Sequence, residues 1–402
     1  MNLSGNTLGG AVNRYSMGDR PVSQVIGELV KGVASRVGAI ALTVACLAVV
    51  LASCLSAPLT ANASPLTLAA LPSGNPISNG KALLRYSLPI DNETIRDVQG
   101  NLEGMSNDLR AKRWGPIDKK AKKAQRVLEK KSDDLLVGVP DSFMPEAKDL
   151  VAQIGTGLED LRLAVDERDR EAIWTKRNEI LDRIGAIEES MVTEFPFEVP
   201  EDYANLPQLK GRATVELETS RGTIQITVDG YNAPVTAGNF VDLVQRGFYD
   251  NLPFIRAEDS YVLQFGDPEG PDEGFNDPKT GEYRAVPLEI MVEGDTDPLY
   301  GYTTEEIGLF KKLPVLPFSA YGALAMARPE SNNNGGSSQV FFFLFEPELT
   351  PAGANLLDGR YAVFGYTISD KNGKPILDKM RAGDKVISAK VVSGAENLVQ
   401  PA

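Results

Sequence analysis

Apolar residues in the first half of the chain recur at helical spacing. Ile95, Val98, Leu102, Met105 and Leu109 fall three and four residues apart, which places them on one face of a helix. A second stripe runs through Ile117, Ala121, Ala124, Val127 and Leu128, between Pro116 and the Gly138-Val139-Pro140 break. A third begins at Pro145, a favourable first helical position because an N–H there would have no intrahelical partner, and carries Leu150, Ile154, Leu158, Leu161 and Val165. The fourth holds Ile173, Ile180, Ile184, Ile187 and Met191 and stops at Pro196. Four stripes joined by short breaks predict an antiparallel four-helix bundle over residues 89–195. Residues 64–88, rich in Pro, Ala, Ser and Asn and without period, read as a flexible tether, and the proline-bearing stretch 196–211 reads as a linker. Beyond it the period changes to two. Val215 and Leu217, then Ile224, Ile226 and Val228, alternate with polar residues around Ser220-Arg221-Gly222, a hairpin pattern. Ala233-Pro234-Val235 then opens a short helix with Phe240, Leu243 and Val244 on one face, closed by Gly247.

Ahead of the tether, Lys31 and Arg36 precede the uncharged run Val37 to Leu51, and small residues ending in Ala61-Asn62-Ala63 follow. That is the order of a secretory signal peptide over residues 1–63, and the apolar run is short against the roughly 20 residues of a membrane span. Two alternatives remain: an uncleaved anchor, and lipidation at Cys54, since Leu51-Ala52-Ser53-Cys54 resembles a bacterial lipobox. The expectation is an exported protein, in the periplasm or another lumen, and either alternative would hold it at a membrane.

The 402 residues carry a formal net charge of −14, which repels polyanions, so nucleic acid is not an expected partner. The chain has no histidine, which removes Ser-His-Asp and Cys-His catalysis and His-ligated zinc. Its two cysteines, Cys46 and Cys54, both lie in the leader. What remains is chemistry by carboxylates, Lys, Arg and Tyr, or binding alone. Charge is also segregated: nine basic residues against two acidic ones from Lys112 to Lys131, and fourteen acidic against two basic between Ala257 and Phe310. The plain reading of each is a solvated surface. The sharper reading of the basic stretch is a docking face for an acidic partner, anionic lipid, or the chain's own acidic half.

A series of ordered blocks then carries a resemblance. Leu217-Glu218-Thr219-Ser220-Arg221-Gly222, Ala233-Pro234-Val235-Thr236 with Asn239-Phe240, and Gly247-Phe248-Tyr249 come first. Phe254-Ile255-Arg256 with Gln264-Phe265-Gly266-Asp267, Gly322 to Ala327, Ser338-Gln339-Val340-Phe341-Phe342 and Leu357-Asp358-Gly359-Arg360-Tyr361 through Gly365 follow. Residues 212–398 so resemble the cyclophilin family of peptidyl-prolyl cis-trans isomerases. The resemblance implies an antiparallel β-barrel capped by helices, X-Pro polypeptides as substrate, and no cofactor or metal. It implies that Arg256 is the catalytic donor and that Gln264 orients it. Tyr261, Val262, Phe341 and Leu357 would line a proline slot, Ala327 and Gln339 would grip the substrate backbone, and Leu356 and Tyr361 would form the rim. The chain departs from the family with Tyr261 and Val262 for Phe and Met, Leu356 for Trp, Tyr361 for His, and Arg328-Pro329 for Asn-Ala.

A helical domain behind a lumen-type leader further resembles the multidomain thylakoid-lumen cyclophilins of plants and cyanobacteria. That likeness implies a folding or assembly helper with photosystem II or other membrane-complex subunits as partners. Two functions stay open: an isomerase, and a module that grips X-Pro segments without turning them over. The stretch 268–321 is longer than in compact cyclophilins, an acidic insertion read as a solvated loop or as a clamp onto the basic helix. In the second case the bundle would partly cover the proline slot.

Overall fold

A computed structural model describes residues 77–345, 355–369 and 373–401. The leader, with Cys54 and Ala63, lies outside the described residues. The helical stripes form as the spacing requires, with one division. The first is two helices, α2 (Glu93–Glu103) and α3 (Met105–Arg110), separated at Gly104. The others are α4 (Trp114–Lys131), α5 (Met144–Glu167) and α6 (Arg170–Ser190). Their ends are fixed locally: Asn92 accepts from the Ile95 N–H, Asp169 from Glu171 and Ala172, and α5 stops at Arg168 in the left-handed region. Ile95, Leu102, Ile117, Ala121, Leu158, Ile180 and their stripe partners make one core. Each Leu or Ile so buried contributes roughly 1.5–3 kcal/mol against leaving it in water.

Of the tether expected over 64–88, the described part, residues 77–88, holds a helix. Gly80–Tyr86 is a helix, α1, capped by Asn79, and Ala82, Leu83, Leu84 and Tyr86 are buried. Seven residues make only two turns, too few for a period to show in the sequence.

The second half is an antiparallel sheet of β2 (Arg212–Thr219), β3 (Gly222–Asp229), β4 (Phe254–Glu258), β5 (Val262–Phe265), β8 (Ala323–Met326), β9 (Val340–Phe343), β10 (Val363–Thr367) and β11 (Val386–Ser393). Their order across the sheet is β11-β2-β3-β10-β8-β9-β5-β4. The sheet curls until its outer strands meet, where Phe254 N donates to Asp384 O at 2.7 Å and Gly383 N to Phe254 O at 2.8 Å. Closure satisfies backbone groups that an open edge would leave bare. Inward side chains such as Leu217, Ile226, Phe265 and Phe342 fill the barrel, and α7 (Pro234–Gln245) packs Phe240 against them. The expected linker is part of this body. Its β1 (Gln208–Leu209) pairs with β12 (Leu398–Val399), and a Cβ on Gly238 of α7 would sit 2.4 Å from the Pro207 carbonyl oxygen. Only glycine permits that approach.

The acidic insertion is likewise folded. It contributes β6 (Glu289–Ile290) and β7 (Leu299–Tyr300), and Val286, Leu288, Ile290, Met291, Val292, Leu316 and Phe318 are buried. Glu289 is buried too, accepting from Val235 N at 3.1 Å and Thr236 N at 2.7 Å at the start of α7. Its contact with the bundle side runs through the linker and is apolar: Phe195 and Phe197 pack with Met291 and Val315, and Tyr203 stacks on Tyr300 at 5.1 Å. The expected clamp onto the basic helix is therefore corrected. Among the described residues, α4 makes its ion pairs with Asp97, Asp108 and Asp118, inside the bundle, and none with the insertion. Those carboxylates are held close by the bundle's own packing, while the insertion is anchored elsewhere.

Bundle and barrel meet across α1. Arg212 donates to Asp229 at 2.7 Å, to Ser87 Oγ at 3.0 Å and to the Leu84 carbonyl, and Asn232 donates to Ser87 O at 3.1 Å. On the other side of α1, Arg85 and Arg177 share Glu103, and Arg96 reaches Glu188 at 3.2 Å.

Candidate functional site

Sheet register assembles the site. Arg256 on β4 faces Gln264 on β5, Gln264 faces Phe341 on β9, Phe341 faces Ala325 on β8, and Ala325 faces Val363 on β10. Directly opposed residues share a face, so these five form one row across the outside of the barrel. Val262 and Phe343, two residues along their strands, lie beside it.

Arg256 is half exposed. Its Nε and Nη2 both donate to Glu258 Oε1 at 2.6 Å, and its guanidinium lies 5.8 Å from the Tyr261 ring. Gln264 does not hydrogen-bond Arg256; its amide donates to Gln339 Oε1 at 2.7 Å. Gln339 in turn donates to Asp267 at 2.8 Å and to the Glu273 carbonyl at 2.9 Å. Burial, aided by the charge of Glu273, raises the Asp267 carboxyl. The Gln339 carbonyl accepts from Ala327 N at 2.9 Å. The row so ends in a chain of amides with Arg256 beside it.

Of the expected slot residues, Val262, Phe341, Leu357 and Tyr361 share one apolar cluster with Leu83 and Leu84 of α1 and with Leu316 and Phe318 of the insertion. Phe318 stacks on Phe341 at 6.0 Å with rings nearly parallel, and Tyr361 meets Phe341 edge-on at 5.5 Å. Val262 is 4% and Phe341 6% exposed, whereas Tyr261 is 38% and Leu356 87% exposed, so the floor is closed and the rim is wet. Leu356 thus stands away from the cluster that Leu357 joins. Arg328 lies 5.1 Å from the Tyr361 ring and donates to the Arg360 carbonyl at 2.9 Å.

Three participants were not singled out in the sequence. Glu258 is a surface carboxylate by any sequence signal. Phe318 sits in the insertion, outside the matching blocks. Asp358 lies inside one of them; it accepts from Phe318 N at 2.7 Å and Asn355 N at 3.1 Å, and burial pushes its carboxyl up to about 6.

A closed antiparallel barrel carrying Arg256, Gln264 and Phe341 on one outer row, with Gln339 hydrogen-bonded to Gln264, has the fold of a cyclophilin-type isomerase domain. The model of the cyclophilin-type peptidyl-prolyl cis-trans isomerase family matches residues 214–395, and a model described as the PsbQ-like domain of CYP38-like peptidyl-prolyl cis-trans isomerases matches 79–192. The chain is 55% identical over 335 residues to sll0408 of Synechocystis, described as a thylakoid lumen peptidyl-prolyl cis-trans isomerase, covering 83% of this chain and 88% of that one. It is 47% identical to the chloroplastic isomerase CYP38 of Arabidopsis thaliana, covering 82% and 77%, and 31% identical to CYP37 of the same plant, covering 80% and 71%. The chain therefore belongs to the cyclophilin-type peptidyl-prolyl cis-trans isomerases, with an N-terminal helical domain ahead of the barrel.

Proposed function

We propose that this isomerase acts in a thylakoid lumen, on X-Pro segments of exported or membrane-complex subunits, with Arg256 as its catalytic group. The observation that carries the reading is the row from Arg256 through Gln264 to Phe341. An X-Pro bond resists rotation by roughly 18–20 kcal/mol because nitrogen shares its lone pair with the carbonyl. A catalyst must seat the proline ring on an apolar surface and aim a donor at the lone pair that appears as the bond twists. Arg256 offers a permanent charge and several donors at the edge of the row. Gln339 and Ala327 would hold the substrate backbone, and Tyr261, Val262, Phe341, Leu357 and Tyr361 would receive the ring. Gln264 acts through Gln339, as a positioning residue. The lumen location rests on the relatives' names and on the leader, and a photosystem partner on the family resemblance alone. A protease-coupled isomerisation assay on the full chain tests the reading: a rate equal to the uncatalysed one, unchanged by Arg256→Ala, overturns it.

A second reading, a module that grips X-Pro segments without turnover, is favoured by the burial of Val262 and Phe341 and by the occupation of Arg256 by Glu258. It expects saturable binding of an X-Pro peptide, seen by titration, with no change in the isomerisation rate.

A further inference from the structure

Helix α4 presents one basic stripe to solvent. From Lys119 onward its exposed positions are Lys119, Lys122, Lys123, Arg126, Glu129, Lys130 and Lys131. The acidic exception, Glu129, accepts from the Gln125 amide at 2.8 Å. Steps of three and four align Lys119, Lys122, Lys123, Arg126 and Lys130 along one line, about 16 Å long at 1.5 Å rise per residue. The opposite face, Ile117, Ala121, Ala124 and Leu128, is buried in the bundle, so the stripe cannot turn inward. Lys122 and Lys123 pair with Asp118 and Asp97, each at 2.7 Å. Among the described residues, Lys119, Arg126, Lys130 and Lys131 have no carboxylate partner.

We propose that this stripe docks the protein on an anionic lipid surface. Its composition selects lipid over an acidic protein. Stable protein interfaces concentrate Trp, Tyr and Arg in desolvated pockets and are poor in Lys. Here the stripe is Lys with a single Arg, and no large apolar side chain is exposed on α4. Flexible ammonium groups on a convex face, with no pocket between them, suit charge that is diffuse and mobile; four to eight such groups on an amphipathic helix are the footprint of anionic-lipid binding. The chain's net charge of −14 opposes approach by other faces. Acidic residues more than a Debye length of about 8 Å from the surface are screened, so the local stripe decides the orientation. Attachment through exposed ammonium and guanidinium groups alone is electrostatic and therefore salt-reversible.

The test is sedimentation of the full chain with vesicles of phosphatidylglycerol mixed into phosphatidylcholine, against phosphatidylcholine alone. The expected result is about tenfold more protein on the anionic vesicles at about 0.15 M salt, falling to the phosphatidylcholine level near 1 M, where the screening length shortens to about 3 Å. The triple variant Lys119→Glu, Arg126→Glu, Lys130→Glu breaks no ion pair of the bundle, and its helicity is checked by circular dichroism. It should lose the excess. Equal binding to both vesicle types reports the apolar leader alone and overturns the proposal, as does an excess unchanged in the triple variant. Retention on a polyglutamate column without an excess on anionic vesicles overturns it in favour of an acidic polypeptide.

Discussion

The guanidinium of Arg256 is held by Glu258, two residues along the same strand, and not by Gln264, which faces it across the sheet. Both side chains of the pair are about half exposed, so the pair is weak, roughly 0–1 kcal/mol. Glu258 therefore competes with substrate for the same donors. Glu258→Gln should raise kcat/KM by up to about fivefold. Added salt should raise the wild-type rate toward that of the variant and leave the variant unchanged. Arg256→Ala should remove the activity in either background. A Glu258→Gln rate below wild type at low salt would show that the carboxylate supports the donor.

Beneath α1, two buried carboxylates titrate in opposite directions. Burial would raise Glu103, but Arg85 and Arg177 outweigh it and hold its carboxyl below the usual range, so its stabilisation is present above the ordinary carboxylate pKa and lost as acid titrates the folded form. Glu188 is pushed up to about 7 by burial, with Arg96 opposing. Its contribution is full below the unfolded value of about 4.5 and is lost as pH rises through 7, on the order of 3 kcal/mol in all. Thermal unfolding of Glu188→Gln between pH 5 and 8 should show a flatter dependence than wild type. Parallel curves would assign the slope to other groups.

The helical half was legible because a stripe such as Ile173, Ile180, Ile184 and Ile187 has one explanation, a buried face. The barrel was legible as ordered blocks, and register brings Arg256, Gln264 and Phe341 onto one row. The hydrogen bonds within that row were not legible. A carboxylate at position 258 has the same sequence signature whether it is solvated or bound to an arginine. The insertion was hidden by its composition: fourteen acidic residues between Ala257 and Phe310 suggest a solvated loop, and the buried run Val286 to Val292 falls on strands too short for alternation to emerge. The Lys112 to Lys131 face was paired with the wrong acid because sequence charge carries no distance. Asp97 and Asp108, within the bundle, are nearer.

Glu289 ties the insertion to the barrel by filling the N-terminus of α7. Two N–H groups, from Val235 and Thr236, depend on its carboxylate, and the helix N-terminus favours its charge. Glu289→Ala should cost about 1–3 kcal/mol, the penalty of leaving buried donors unpaired. Limited proteolysis should then cut the insertion between β6 and β7 faster than in wild type. A fall in Tm with no change in the cleavage rate would mean that Glu289 stabilises α7 without anchoring the insertion.

Asp358 joins the insertion to the slot. Its two oxygens accept from Phe318 N and Asn355 N, so one side chain fixes the ring stacked on Phe341 and the loop that carries Leu357 and Tyr361. Asp358→Ala leaves both donors without their acceptor, at about 1–3 kcal/mol, and should release Phe318 from Phe341. The amide of Phe318 should then exchange faster with solvent, and a proline-containing peptide should bind more tightly if the stacked ring keeps the floor closed. The wild-type carboxyl, raised to about 6 by burial, contributes stability below the ordinary value near 3.8 that is lost as pH rises through 6. Exchange at Phe318, corrected for its intrinsic pH dependence, should accordingly be slower at pH 5 than at pH 7. Asp358→Asn keeps one acceptor oxygen and cannot ionise, so its corrected exchange should be flat across that range. If Phe318 exchanges at the same corrected rate in wild type and in Asp358→Ala, the stack on Phe341 is held by apolar packing with Leu316 and Phe343, and Asp358 orders only its own loop.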